Sequence, residues 1–253
     1  MVKKIKAKKK ISISAFFPCY NDAGTIASMV ELATLTLKKL AGDFEVIVVD
    51  DGSTDWSRNI LKELASKNSY LRLVFHEHNK GYGGALISGF NSAKKDFVFY
   101  TDGDFQYDVS ELKLLIGKLN DNVDIVQGYK IKRHDPWYRI LIGNVYNFGV
   151  KLAFGIKIKD VDCDFRLIKR GIFEKVRLEH NSGVITVELV KKIQDQGFKF
   201  AEVAVTHYFR SYGRSQFFNI KRLTQVAIEL LELWIKLVFS KWLEKISIKT
   251  KGY

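Results

Sequence analysis

Cysteine is nearly absent: Cys19 and Cys163 are the two in 253 residues, with no metal-type spacing and no framework of bridges. A disulfide-stapled scaffold is excluded, and a reducing compartment is the simpler assumption. No window holds about 18 uncharged apolar residues, so no membrane-spanning helix is expected. The first ten residues are basic, but the apolar run behind them is short, strand-like and leads into Pro18-Cys19-Tyr20-Asn21, unlike a signal peptide. The glycine-lysine-serine/threonine ending of a P-loop is missing, as is the dinucleotide fingerprint after a first strand. A nucleotidyltransferase's glycine-rich signature near the amino terminus is also missing. Acidic residues are in the minority, 28 against 41 basic ones, for a formal charge of +13. That excess suits anionic partners such as nucleic acid, acidic lipid or phosphorylated substrates without choosing among them.

What is present is a large apolar fraction, 47% of residues, ample for a substantial core. Strand patterns fall at residues 11–17, 44–49, 71–75, 97–101, 124–127 and 200–205. Helical patterns fall at 25–40, 55–66, 84–94, 109–119, 137–154 and 182–196. Alternating strands and helices predict an α/β fold with a Rossmann-like, mostly parallel central sheet flanked by helices, because parallel neighbours need crossover connections. In such sheets ligands bind at the carboxyl ends of the strands.

The organising stretch is Phe97-Val98-Phe99-Tyr100-Thr101-Asp102-Gly103-Asp104-Phe105-Gln106, an apolar run that ends in two carboxylates around one glycine. Asp102 and Asp104 could point at one centre, and with Gln106 they make a cluster of hard oxygens suited to Mg²⁺ or Mn²⁺. An acidic turn is the plainer alternative. Three other loops fall on the same predicted edge. Pro18-Cys19-Tyr20-Asn21-Asp22 offers Tyr20 to stack on a base and Asp22 to accept from ribose or base. Asp50-Asp51-Gly52-Ser53-Thr54-Asp55 offers a carboxylate, Asp50 in the first instance, to a base edge. Asn79-Lys80-Gly81-Tyr82-Gly83-Gly84-Ala85 lets backbone approach a ligand, with Lys80 adding charge.

Taken together and in order, these four segments resemble the motifs of family-2 inverting glycosyltransferases with the GT-A fold. The closest resemblance is to the dolichyl-phosphate mannosyltransferase and polyprenyl-phosphate glycosyltransferase branch, and it covers residues 11–216. It implies that Pro18, Tyr20, Asp22, Asp50, Lys80, Gly81, Gly84, Asp102 and Gly103 hold a nucleotide-sugar donor, a UDP- or GDP-sugar. It also implies that Asp104 and Gln106 ligate Mg²⁺ or Mn²⁺. Asp160-Val161-Asp162-Cys163-Asp164-Phe165-Arg166 is similar to that branch's acceptor segment, with Cys163 and Asp164 standing where serine and glycine are usual. Cys163 and Arg166 would then meet the acceptor, and Asp162 or Asp164 would serve as base for a hydroxyl acceptor. Arg210, Arg214 and Ser215 match a cationic loop that closes over the diphosphate, although Gln216 stands where lysine is usual. Arg139, behind Lys130, Lys132 and Arg133, falls where the branch meets a lipid phosphate.

The expected organisation is a basic tail at 1–10, a GT-A domain at 11–216 and an amphipathic helical segment at 217–253. In that last segment Trp234, Leu237, Val238 and Trp242 would lie on an anionic bilayer, pack on the core or form a dimer face. The expected activity is metal-dependent transfer of a sugar to polyprenyl or dolichyl phosphate, by a peripheral protein on the cytoplasmic face of the membrane. A transferase extending a glycan or glycolipid hydroxyl is the alternative enzyme. A basic nucleic-acid-binding module would explain the charge but not four loop motifs in this order.

Overall fold

The structure is a computed structural model and describes residues 11–133, 137–209 and 220–243. Seven strands form one sheet in the order β3-β2-β1-β4-β6-β5-β7. In chain order they are β1 (Ser12–Cys19), β2 (Asp43–Asp50), β3 (Leu71–Phe75), β4 (Phe97–Thr101), β5 (Ile125–Arg133), β6 (Phe165–Lys169) and β7 (Phe200–His207). The first four pair in parallel, β7 pairs in parallel with β5, and β6 runs antiparallel between β4 and β5. The α/β reading with a mostly parallel sheet is therefore observed.

The helices are α1 (Ile26–Leu40), α2 (Ser57–Lys67), α3 (Gly81–Ser92), α4 (Leu112–Lys118), α5 (Trp137–Phe154), α6 (Ile185–Asp195) and α7 (Ile220–Trp234). A π-helical turn at Ile235–Phe239 continues α7. Strands buried on both faces read as unbroken apolar runs, and the period of two divides them. Phe17 and Phe99 point into the core that α1 and α4 cover with Met29, Leu37, Leu112 and Leu115. Their neighbours Phe16 and Tyr100 point into the opposite core, with Leu86 and Phe90 of α3 and Leu189 of α6. In α1 the buried Ile26, Met29, Val30, Ala33 and Leu37 recur at helical spacing, and Lys38 and Lys39 close its last turn against the helix dipole.

Two features depart from the sequence expectation. Strand β5 runs on past Gln127 to Arg133, because β7 accompanies it from Gly128↔Val203 to Arg133↔His207, with an irregularity between Lys130 and Lys132. Strand β6 lies inside what reads as a motif segment, and its partners are supplied by β4 and β5, far upstream in sequence. A third apolar cluster joins Val150 and Phe154 of α5, Val187 and Val190 of α6, and Leu233 of α7 with Leu237. Packing on the core is thus what one face of the carboxyl-terminal helix does.

Candidate active site

Because β1 to β4 are parallel, the loops after them leave from one edge of the sheet, and side chain to backbone bonds sew them together. Asn21, held at φ 57°, accepts at Oδ1 from the Thr54 N–H at 2.8 Å, and its own N–H donates to Ser53 Oγ at 3.0 Å. Asparagine tolerates this left-handed conformation better than most residues. The N–H of Asp22 donates to Ser57 Oγ at 3.1 Å, and that of Ala23 to Asp55 Oδ2 at 3.1 Å. Asp51 Oδ1 pairs with His76 Nδ1 at 2.6 Å and accepts from the Lys80 N–H at 2.8 Å, which joins the second loop to the third. Gly103 joins the fourth to the first: a Cβ there would stand 2.6 Å from the Pro18 carbonyl oxygen, and the Thr25 hydroxyl donates to the Gly103 carbonyl at 3.1 Å.

These loops enclose a cleft of about 1080 Å³. Pro18, Tyr20, Asp22, Lys80, Gly81, Asp102, Gly103 and Asp104 all line it, and Gly84 lies buried in the same helical turn. Asp50 does not. It is fully buried behind the wall, accepting from the Ser53 N–H at 3.2 Å and from Arg58 Nε at 2.6 Å, and its Oδ2 has no hydrogen-bond partner among the described residues. Asp51, beside it, reaches the cleft instead. Cys19 is buried at the base of the first loop, its thiol pushed up to about 12 by burial and then by Asp22 and Asp50, so it is inert there.

At the floor, Asp104 is buried and accepts from the Gln106 N–H at 3.1 Å, across a turn in which Phe105 takes φ 62°. A non-glycine residue in that region stores strain of order 1–3 kcal/mol, which only a fully determined loop sustains. The determination comes from the end of β7: Gln106 Nε2 donates to the Tyr208 carbonyl at 3.0 Å, and the Tyr208 N–H donates to the Gln106 carbonyl at 2.8 Å. Tyr82 Oη donates to Asp102 Oδ1 at 2.7 Å. Among the described residues, no three His, Cys, Asp or Glu side chains are grouped to hold a metal by themselves. One or two carboxylates fit a Mg²⁺ or Mn²⁺ that substrate phosphates complete, and Asp102 and Asp104 both line the cleft, whereas Gln106 does not. The lining supports that fit, since Asp22, Asp51, Asp55, Asp102 and Asp104 face Lys80, the one lysine or arginine among the described lining residues.

The acceptor expectations for Arg166 and Cys163 are corrected. Arg166 is fully buried, and its guanidinium donates to the Gln127 side chain, the Tyr100 hydroxyl, the Val161 carbonyl and, at 2.9 Å, Asp164. Burial draws that guanidinium down to about 10, which still leaves it charged at neutral pH. It is a brace inside the sheet and cannot touch a ligand. Cys163 is likewise fully buried, and burial drives its thiol far upward. Asp164 accepts from Tyr100 Oη at 3.1 Å as well as from Arg166. Burial, and then the Asp102 carboxylate, push Asp164 above the ordinary carboxylate range, with Tyr82 and Lys130 opposing. Neither Asp162 nor Asp164 lines the cleft. Lys130 Nζ donates to the Asp162 carbonyl at 2.9 Å, and Arg139 sits half-buried in the first turn of α5. Arg210, Arg214 and Ser215 lie outside the described residues.

The sequence reading missed the opposite wall, formed by residues 179–183 and by Gln225, Val226, Glu229 and Glu232 of α7. Gly83 makes the contact possible: a Cβ there would lie 2.0 Å from the His180 carbonyl oxygen, and its N–H donates to the Asn181 carbonyl at 2.8 Å. Glu188, fully buried in α6, accepts from the N–H groups of Glu179 and His180 at 3.1 Å and from Lys192 at 2.6 Å. Against the cost of burial, Lys192 and these amides hold the Glu188 carboxyl below its usual range. Ser182 donates to Glu229, which ties the wall to α7. A buried glutamate one turn into an amphipathic helix was the available signal, but its partners come from another segment.

The family model described as glycosyl transferase family 2 matches residues 14–177. The undecaprenyl-phosphate 4-deoxy-4-formamido-L-arabinose transferase of Proteus mirabilis (strain HI4320) is 27% identical over 210 residues, 83% of this chain and 64% of its own. The protein of that name from Serratia proteamaculans (strain 568) is 27% identical over 229 residues, 90% of this chain and 68% of its own. The chain thus spans about two thirds of the length of these curated relatives. Among solved structures, glucosyl-3-phosphoglycerate synthase from Mycobacterium tuberculosis, in complex with Mn²⁺, uridine diphosphate and glucosyl-3-phosphoglycerate, superposes with a TM-score of 0.66. That match is 17% identical and covers 89% of this chain and 79% of the other.

Proposed function

The chain belongs to glycosyl transferase family 2, and from that premise we propose that it moves a sugar, with inversion, from a nucleotide-sugar to a polyprenyl phosphate such as undecaprenyl phosphate. The observation that carries the reading is the convergence of four loops, separate in sequence, on one cleft with Asp102 and Asp104 at its floor. The names of the relatives support the acceptor, and the uridine diphosphate and Mn²⁺ in the structural neighbour support the donor class and the metal.

Tyr20 and Asp22 would hold the nucleoside, with Asp51 rather than Asp50 facing the cleft. Asp104 would hold Mg²⁺ or Mn²⁺, which when bound offsets the charge that develops as the nucleoside diphosphate leaves. Arg210 and Arg214 would add cationic charge from their loop. Single displacement at the anomeric carbon inverts its configuration. A phosphate monoester acceptor has a second pKa of about 6 and is already anionic at neutral pH, so it needs no protein base. The exclusion of Asp162 and Asp164 from the cleft lining favours this acceptor over a sugar hydroxyl. The direct test offers UDP- and GDP-sugars with Mn²⁺ or Mg²⁺, with and without polyprenyl phosphate, and follows which molecule gains label. The expected result is metal-dependent labelling of the lipid; labelling of a glycan alone would sink the acceptor assignment.

The protein would work at the cytoplasmic face of a membrane, peripherally. Among the described residues no helix is long and apolar enough to cross one. Helix α5 presents Trp137, Leu141, Val145, Phe148 and Leu152 on one exposed face, and α7 with its continuation presents Ile228, Leu231, Ile235 and Trp242. An exposed apolar face of this size on a chain of net charge +13 suits an anionic bilayer. A Leu141→Glu/Val145→Glu variant is expected to fold normally, because both side chains are exposed, and to lose about tenfold or more in co-sedimentation with anionic vesicles. Undiminished co-sedimentation would remove this α5 face from the reading, and no co-sedimentation of the unaltered chain would remove the membrane.

A further inference from the structure

Tyr82 stands in the first turn of α3, and the four-loop motifs give it no task. It lines the cleft, yet its hydroxyl turns toward the floor and donates to Asp102 Oδ1 at 2.7 Å. Asp164 faces the same phenol. A phenol is protonated at neutral pH, so this hydroxyl donates. Asp164 is itself immobilised, at 2.9 Å from Arg166 and 3.1 Å from the Tyr100 hydroxyl. Arg166 is anchored in turn on Gln127 of β5 and on the Val161 carbonyl. An unbroken line of contacts therefore runs from the cleft floor into the centre of the sheet.

We infer that Tyr82, backed by Asp164 and Arg166, is a positioning residue for Asp102, fixing the orientation in which that carboxylate would meet a donor's diphosphate and its metal. Asp164 is then an orienting group and not a base, which agrees with its absence from the cleft lining. This rests on the nucleotide-sugar reading given above. Partners that orient a group at a metal site typically contribute about 10- to 100-fold to affinity.

The test is a double-mutant cycle read by calorimetry, with uridine or guanosine diphosphate titrated into the full chain in Mn²⁺. Tyr82→Phe keeps the ring and removes only the hydroxyl. It is expected to weaken nucleotide binding about tenfold in the unaltered chain and less than about twofold in an Asp102→Asn background, with an unchanged melting temperature in each. A purely structural tyrosine would give equal losses in both backgrounds, and that additivity would overturn the proposal. Unaltered affinity in the single variant would overturn it too. Failure of the unaltered chain to bind either diphosphate would overturn the donor reading, and this inference with it.

Discussion

Asp104→Ala is expected to abolish sugar transfer in metal-replete buffer, by about a thousandfold or more, whichever acceptor is offered. Metal-assisted departure of a diphosphate contributes several kcal/mol of transition-state stabilisation, and about 4 kcal/mol corresponds to a thousandfold in rate. Of the neighbouring carboxylates, Asp102 is oriented by Tyr82, Asp51 is engaged by His76 and the Lys80 amide, and Asp50 is buried against Arg58. Asp104 also accepts from the Gln106 N–H and so supports the strained Phe105 turn. Asp104→Asn separates the two contributions, since an amide oxygen still accepts that N–H but adds no charge. Both variants should lose transfer, whereas the asparagine form should keep the parent's melting temperature. Near-normal turnover by either one, measured with labelled donor at saturating Mn²⁺, would refute the assigned metal residue.

Arg166→Met is expected to cost about 3–5 kcal/mol of folding stability, because breaking a buried ion pair from one side leaves the other charge uncompensated. The loss also strands the Gln127 oxygen and the Val161 carbonyl in the sheet interior. Urea unfolding followed by circular dichroism should show a lower midpoint at an unchanged slope. Adding Asp164→Asn to Arg166→Met should recover part of the loss, since the stranded charge is then gone. A shift under about 1 kcal/mol would mean that Arg166 is not the brace described and would reopen its role toward an acceptor.

The contrast between these two residues shows how far placement on the cleft can be read from sequence. That Asp104 lines the cleft was legible because what places it there is local: an apolar strand, a break, and two carboxylates around a glycine. The same holds for Tyr20, Lys80 and Gly103, each within a few residues of a strand end. Arg166 was not legible, because a charged residue in a motif-like run looks alike whether it reaches solvent or an internal ring of acceptors. What decides is the pairing of β6 with β4 and β5, which sets Tyr100 opposite Arg166 and Arg166 opposite Gln127. The wall at residues 179–183 was hidden for the same reason. Its shape comes from Glu188 and Gly83, which are separated by about a hundred residues and related only by the fold.

Helix α7 carries Glu229 on the wall of the cleft and Ile228 and Leu231 outward. One helix thus borders the cleft on one face and carries apolar side chains outward on a neighbouring face. Seated on a bilayer by those side chains, the protein would bring the cleft close to the headgroups. A long isoprenoid tail would never need to leave the hydrocarbon; only its terminal phosphate has to rise by that short distance to meet the donor.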